Sequence, residues 1–451
     1  MTALPSEVPA RAESVPVWAQ PGITSVDGAR RLLDELRSSA TIVLPSADGD
    51  LGYPLSRVSH RRRGHGASIC ANVLAATPPS DDLLALQRAL GLGPERIYCP
   101  AAPSSSTRLA RLALDDDALI ARLQADRALR RILFAFKDAD AARLAERLRL
   151  TPACCAPDPA AYEAANDKLR FWQAGAAHRF ATLPVEVADD ERALDGAFRR
   201  LAAVYGEGCV LRVRRGAGGH HMQHARSASA AHRCWRMLRR HGEVLIVPYV
   251  PSTRVVRNVS THGIVTETGF APLLFADQIV QDFRFRGSVV GNDWSAEEIA
   301  AIGSALARIA GWLRSVGFVG AIAGVDGLLV RGGTGLEFVA LDPNARLTAT
   351  VGPWAVAATL SERAGRRLLW QLESFRVLGS ALTVARLRRR LGSDLLDPAR
   401  LAAGGVLPSS IAALALGGIG ASWMTAILLA HDQEHLRHLR RRTRAALGGI
   451  G

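Results

Sequence analysis

Lysine is almost missing from this chain. Of its 56 lysine and arginine residues only Lys137 and Lys168 are lysines, so a position that keeps lysine stands out. A compact ammonium and a planar guanidinium fork serve different chemistry. Aromatic residues are also scarce, at 6%, and do not interleave with the arginine runs at 61–63, 386–390 and 437–444. That argues against a base-stacking surface, so we read the +14 formal charge as solvated basic faces and expect no nucleic-acid partner. The six cysteines form no CxxC pair and no repeated framework, which excludes a zinc ribbon or a disulfide scaffold and fits a reducing cytoplasm. Residues 1–20 carry three prolines with Glu7 and Glu13, and lack both a basic n-region and an apolar h-region. They read as part of a flexible leader over 1–25, not as a signal peptide. The uncharged run 411–430 is long enough for a membrane span. Gly417, Gly418 and Gly420 break it in the middle, so we expect a β-hairpin and no membrane partner.

What remains is globular. Hydrophobic residues at 48% and charged residues at 22% suit a chain of 451 residues folded into two or three domains. Strand-like runs at 41–45, 96–99 and 132–136 alternate with helical patterning at 81–90 and 138–148, which predicts a small parallel α/β domain over 26–150. Three prolines and paired cysteines at 151–159 mark a boundary. The second domain, over 151–355, should open with a helix over 162–177 and continue through strands near 209–214, 244–250 and 254–275 and a helix over 296–317. Residues 356–451 read as a helix-rich extension with one hairpin, packing on the second domain. No internal repeat is visible.

The chemistry concentrates in Leu341-Asp342-Pro343-Asn344-Ala345-Arg346. On an extended chain, side chains at i, i+2 and i+4 share a face, so Asp342, Asn344 and Arg346 can converge on one ligand. Two oxygen donors suit Mg²⁺ and an arginine suits phosphate. Asp326 ends an apolar run upstream, and the connection at 331–335 reads as a hairpin turn that brings Asp326 beside Asp342. Asp-Pro-Asn is equally ordinary turn chemistry when read alone. A glycine turn, Gly216, Gly218 and Gly219, follows a strand containing Arg212, and glycine amides approach phosphate closely. His220, His221 and His224 crowd the same loop without rigid geometry or a fourth ligand, and His431, His435 and His438 read as one face of an exposed helix.

Taken together, these residues resemble the ATP-grasp superfamily, whose last strand carries Glu/Asp-x-Asn-x-Arg, whose preceding strand carries another metal-binding acid, and in which a triplet like Asn166-Asp167-Lys168 gives a lysine to the nucleotide. The resemblance implies an α/β chain: a pre-ATP-grasp domain, then a two-subdomain α+β ATP-grasp fold. It implies ATP and Mg²⁺ as cofactors, with Asp326, Asp342 and Asn344 on the metal. Lys168, Arg212 and the Gly216, Gly218, Gly219 lid would take the phosphates, and Val247, Pro248 and Tyr249 the adenine. Arg212 stands where the family usually has lysine, and Pro248 where it often has glutamate. Arg254, Arg257 and Arg284 would border the substrate, while Arg286 and Arg346 would stabilise the reacting groups. The narrower resemblance is to peptide ligases of the pheganomycin-ligase kind, in secondary metabolism. The partners implied are a small carboxylate and an amine, and a homodimer is allowed. The alternative is a non-catalytic ATP-binding scaffold or sensor that kept the fold.

Overall fold

The computed structural model describes residues 15–44, 68–75, 80–101, 109–156, 158–215, 221–291, 293–333, 335–377, 382–410 and 422–448. The first sheet is parallel throughout, built from β1 (Thr41–Leu44), β2 (Asn72–Leu74), β3 (Arg96–Tyr98), β4 (Arg131–Phe134) and β5 (Thr151–Pro152) in the order β3-β2-β1-β4-β5. Its central strand β1 is buried at every position, as expected of a parallel strand covered on both faces. The amphipathic helix Ala139–Leu148 covers it with Leu144 and Leu148, and Asp138 caps the helix by accepting the Ala141 amide.

A small antiparallel sheet follows, with β6 (Glu186–Val187), β7 (Cys209–Val213), β8 (Met222–Ala225) and β9 (Val244–Pro248) in the order β6-β9-β7-β8. The third sheet has eight strands. They are β10 (Val255–Val265), β11 (Phe270–Gln281), β12 (Arg284–Val290), β13 (Ala321–Gly332), β14 (Gly335–Asn344), β15 (Leu369–Val377), β16 (Gly405–Ser410) and β17 (Ser422–Ala430), ordered β14-β13-β10-β11-β12-β15-β17-β16. Beyond residue 355 the chain supplies the helices Val384–Leu391 and Gln433–Ala446 and also three strands of this same sheet. The β16–β17 pair is antiparallel, and residues 411–421, which include the expected glycine break, lie outside the described residues. Among the described residues no helix is long and apolar enough to cross a membrane.

Two expectations need correction. Residues 15–25 do not behave as the end of a flexible leader: Trp18, Ala19 and Ile23 are buried, and Gln20 exchanges both side-chain hydrogen bonds with the backbone of Phe275 on β11. A carboxamide clamping one residue of a strand acts as an extra ladder rung. The single helix expected over 162–177 is two helices, Pro159–Ala165 and Lys168–His178. Asp167 breaks it, because its carboxylate caps the second helix by accepting the Leu169 and Arg170 amides.

The last helix docks through buried Leu436 and Leu439 and through Glu373 of β15, itself buried. Arg440 Nε donates to Glu373 at 2.7 Å, and Arg444 Nη2 at 2.6 Å. Glu373→Ala should cost about 2 kcal/mol, since charge-assisted bonds are lost while the arginines regain water. Hydrogen exchange should show the amides of Gln433–Ala446 losing protection before those of β13 and β14. Uniform loss would contradict local docking.

Candidate functional site between the two antiparallel sheets

The site begins with the β13–β14 hairpin. Pairing starts at Gly332 opposite Gly335 and runs to Gly327 opposite Ala340, then shifts: Asp326 faces Asp342 and Gly324 faces Asn344. Leu341 is therefore an extra residue, a β-bulge. Without it Asp326 would face Leu341, and Asp342 would point to the other side of the sheet. The bulge is held from outside the hairpin. Trp172, on the helix Lys168–His178, donates its indole N–H to the Leu341 carbonyl at 2.9 Å, and the Ala340 amide bonds to Ala181 O at 2.9 Å.

Asp342 meets the small sheet across a cleft. Arg212 of β7 places Nη2 2.7 Å from the carboxylate, with its N–H aligned on Oδ2, so Oδ1 accepts no hydrogen bond. The same guanidinium lies over Trp172, 5.4 Å from the ring centroid. Lys168 Nζ stands 4.0 Å from Asp342. Neighbouring side chains fix the lysine's helix end: Arg214 clamps Asp167 at 2.6 and 2.9 Å, and Asn166 accepts the Ala345 amide at 3.1 Å while donating to the Ala345 carbonyl at 3.1 Å.

Burial drives the Lys168 ammonium down to about 8; Asp342 opposes this, and the charges of Arg212 and Arg346 add to it. Burial also works to raise Asp342, but Arg212 and Lys168 outweigh it and hold the carboxyl below its usual range. Asp326 moves the other way. Withdrawal from water raises its carboxyl despite hydrogen bonds from Ser260 and Gln278. Ser260 Oγ donates to Asp326 Oδ1 at 2.6 Å, and Asn344 Nδ2 to Oδ2 at 2.7 Å. Two carboxylates and a carboxamide oxygen make a donor set for a hard divalent cation, and the unbonded Asp342 Oδ1 is an acceptor in want of a partner.

Arg346 does not continue the strand alternation. β14 ends at Asn344, a turn bonds the Arg346 amide to Asn344 O at 2.7 Å, and Arg346 Nη1 reaches Asn166 Oδ1 at 3.2 Å. Its charge still acts on both acids. Arg286 is the extra residue of a second bulge, between Phe285 opposite Val280 and Gly287 opposite Ile279. Arg257 is not brought to the cleft group: Glu298 and Asp277 hold its guanidinium at 2.6 and 3.0 Å, over the Trp294 ring. Arg254 lies over Tyr205 and Arg284 is exposed at the β11–β12 hairpin. Val247 and Pro248 are buried in the small sheet opposite Val210 and Cys209. The Tyr249 amide, expected to read a purine edge, is spent on Gly208 O at 3.0 Å, and the Tyr249 ring stacks on His224 at 4.0 Å with Phe283 edge-on. Gly216, Gly218, Gly219 and His220 lie outside the described residues. His221 packs on His241, away from the His224 stack, and among the described residues no group of three or more His, Cys, Asp or Glu is arranged to hold a metal ion.

Sequence reasoning missed Trp172, Ser260, His262 and Thr348. Only Ser260 and His262 left a signal, as polar residues two apart, and so on one face, of the same strand. Burial, helped by the Arg346 charge, pushes His262 down to about 3, so the ring is neutral.

No family model matches this chain, and no curated protein matches it in sequence. Solved structures do match in fold. N5-carboxyaminoimidazole synthetase from Staphylococcus aureus aligns at 10% identity over 92% of this chain and 99% of that one, with a TM-score of 0.52. The N5-carboxyaminoimidazole ribonucleotide synthetase from Thermus thermophilus aligns at 16% identity over 91% and 99%, with a TM-score of 0.53. The biotin carboxylase domain of Hydrogenobacter thermophilus 2-oxoglutarate carboxylase, solved with MgADP, ADP and bicarbonate, aligns at 12% identity over 90% and 89%, with a TM-score of 0.56. The chain therefore has the ATP-grasp fold with a preceding α/β domain, as expected from its motifs.

Lys168 gives this site a pH signature. The unfolded chain keeps that proton up to the ordinary lysine value of 10.5, whereas the native state releases it at about 8, so between those values the unfolded state binds more protons. Native stability relative to Lys168→Met should rise with pH across that window. Denaturant titrations of both proteins at several pH values measure it, and a flat difference would contradict the buried, depressed ammonium.

Proposed function

We propose that this chain is an ATP-dependent ligase that joins a carboxylate to an amine. The observation that carries the reading is the bulge-set opposition of Asp326 and Asp342, with Asn344 beside them and Lys168 and Arg212 facing them across the cleft. Oxygen donors on one wall and cations on the other are what a metal-bound polyphosphate requires. The matched synthetases and the MgADP bound in the Hydrogenobacter domain support the same reading.

In this proposal Asp326, Asp342 and Asn344 hold Mg²⁺, which supplies charge neutralisation at the phosphates. Lys168 and Arg212 turn from Asp342 to the polyphosphate, and their positive charge steadies the oxygens there. The substrate carboxylate oxygen attacks the γ-phosphorus and ADP leaves, giving an acyl phosphate. The amine nitrogen then attacks the acyl carbon, phosphate departs with the C–O bonding pair, and the amine loses a proton. Arg346, tied to Asn166, and Arg286, at the β12 bulge, carry the positive charge that opposes the developing oxyanion. The amine is an amino acid or peptide, and the setting is secondary metabolism, in line with the pheganomycin-ligase resemblance.

Non-catalytic nucleotide binding is the competing reading, favoured by the commitment of Arg212 to Asp342 inside the protein. One assay separates the two. A screen of acid and amine pairs for coupled ADP release should find an amine-dependent pair, with the amide visible by mass spectrometry. Asp342→Ala with Asn344→Ala should then lower that release by about two orders of magnitude or more with the fold intact. Lys168→Ala should mainly raise the KM for ATP. Nucleotide binding without turnover on any pair favours the scaffold, and unchanged turnover in the double variant would refute the metal assignment.

A further inference from the structure

Across β14, β13 and β10 the sheet carries two adjacent rows of paired residues. Asp342, Asp326 and Ser260 form one row, and Asn344, Gly324 and His262 the next. His262 is 1% exposed, with Nε2 3.0 Å from Ser260 Oγ and Nδ1 3.0 Å from Thr348 Oγ1. We propose that His262 and Ser260 are positioning residues: with Thr348 they form a one-way hydrogen-bond chain that fixes the Asp326 carboxylate for the divalent cation. The inference rests on the metal assignment made above.

The direction of the chain follows from counting donors. An ionised carboxylate only accepts, so the single hydroxyl proton of Ser260 goes to Asp326 Oδ1, at 2.6 Å. Ser260 Oγ must then accept from His262, which places the ring proton on Nε2. A neutral imidazole has one donor and one acceptor, so Nδ1 accepts the hydroxyl proton of Thr348. Thr348 Oγ1 in turn accepts the Thr350 amide at 3.4 Å. Every proton in the series points toward Asp326. With Asn344 Nδ2 on Oδ2 at 2.7 Å and Gln278 as a third donor, both carboxylate oxygens are fixed, and an acceptor position remains for the cation.

Gly324 makes the chain possible. It sits between Asn344 and His262 in its row, and a Cβ there would stand 2.9 Å from His262 Nδ1 and 3.1 Å from Thr348 Cγ2. Any side chain would block the path by which Thr348 crosses β13 to reach the ring. The bare position, the buried neutral imidazole and the hydroxyls at both its nitrogens thus belong to one device. Partners of this kind, one step removed from a metal ligand, typically change metal affinity by about tenfold to a hundredfold when lost.

Two measurements test this. In the ligand-free protein, ¹⁵N-histidine NMR should show His262 protonated at Nε2 and bare at Nδ1, and in Gly324→Ala that signal should lose its fixed tautomer. A ring carrying its proton on Nδ1 would overturn the chain with no ligand involved. In the second, Mn²⁺ binding is followed by electron paramagnetic resonance with ADP present. Ser260→Ala and His262→Phe should each weaken Mn²⁺ by about tenfold while leaving metal-free ADP affinity unchanged, and Ser260→Thr should restore it. Should His262→Phe fail to fold, the Ser260 pair still decides. Wild-type binding that Ser260→Ala leaves intact overturns the positioning role alone, whereas a wild type that takes up no Mn²⁺ overturns the metal assignment beneath it.

Discussion

A single carbonyl oxygen on the edge strand decides the geometry of the cleft. Leu341 is one residue too many for the β13–β14 ladder, and its carbonyl leaves the ladder to take the Trp172 indole N–H at 2.9 Å. An unpaired carbonyl inside a protein costs about as much as a lost hydrogen bond, so the bulge persists because Trp172 meets it. Because side chains alternate with a period of two, that one extra residue turns Asp342 to the face that carries Asp326. The same indole supports the guanidinium of Arg212, so one side chain sets both the acid and the cation opposite it.

Other elements converge on the same strand end. Asn166 closes on both backbone groups of Ala345, and the Leu347 amide bonds to Ala135 O at 2.9 Å, just past β4 of the parallel sheet. The exit of β14 is therefore pinned by the helix break at Asn166-Asp167 on one side and by the first domain on the other. Arg212 completes the arrangement from the small sheet, and its ion pair with Asp342 links the two antiparallel sheets across the cleft. Such a link is strong when little water reaches it, and Arg212 is buried. A polyphosphate able to compete for Arg212 and Lys168 would exchange this internal pairing for its own.

Much of this was legible in the residues. The scarcity of lysine singled out Lys168, which proves to be buried beside Asp342, and an apolar run ending in Asp326 before a glycine turn was enough to place the two acids together. The reason they meet was not legible. A tight turn alone gives a register that separates them, and the correcting bulge depends on Trp172, far away in sequence. Strand alternation likewise failed at Arg346, where the chain had already turned. Arg257 looked like a substrate arginine because its partners, Asp277 and Glu298, come from other elements, and pairing across a fold leaves no local pattern. The strands β15 and β16, and the joining of β17 to the large sheet, were hidden for a similar reason: arginine-rich helices dominate the local pattern, while strand pairing is decided by distant neighbours.

The most direct test of the opposed acids is a crystal structure of the protein with Mn²⁺ and a non-hydrolysable ATP analogue, phased to show the anomalous signal of the metal. The account predicts that signal between the carboxylates of Asp326 and Asp342, with Arg212 and Lys168 turned onto the polyphosphate. A metal and nucleotide bound elsewhere, or Asp326 and Asp342 on opposite faces of the hairpin, would contradict it.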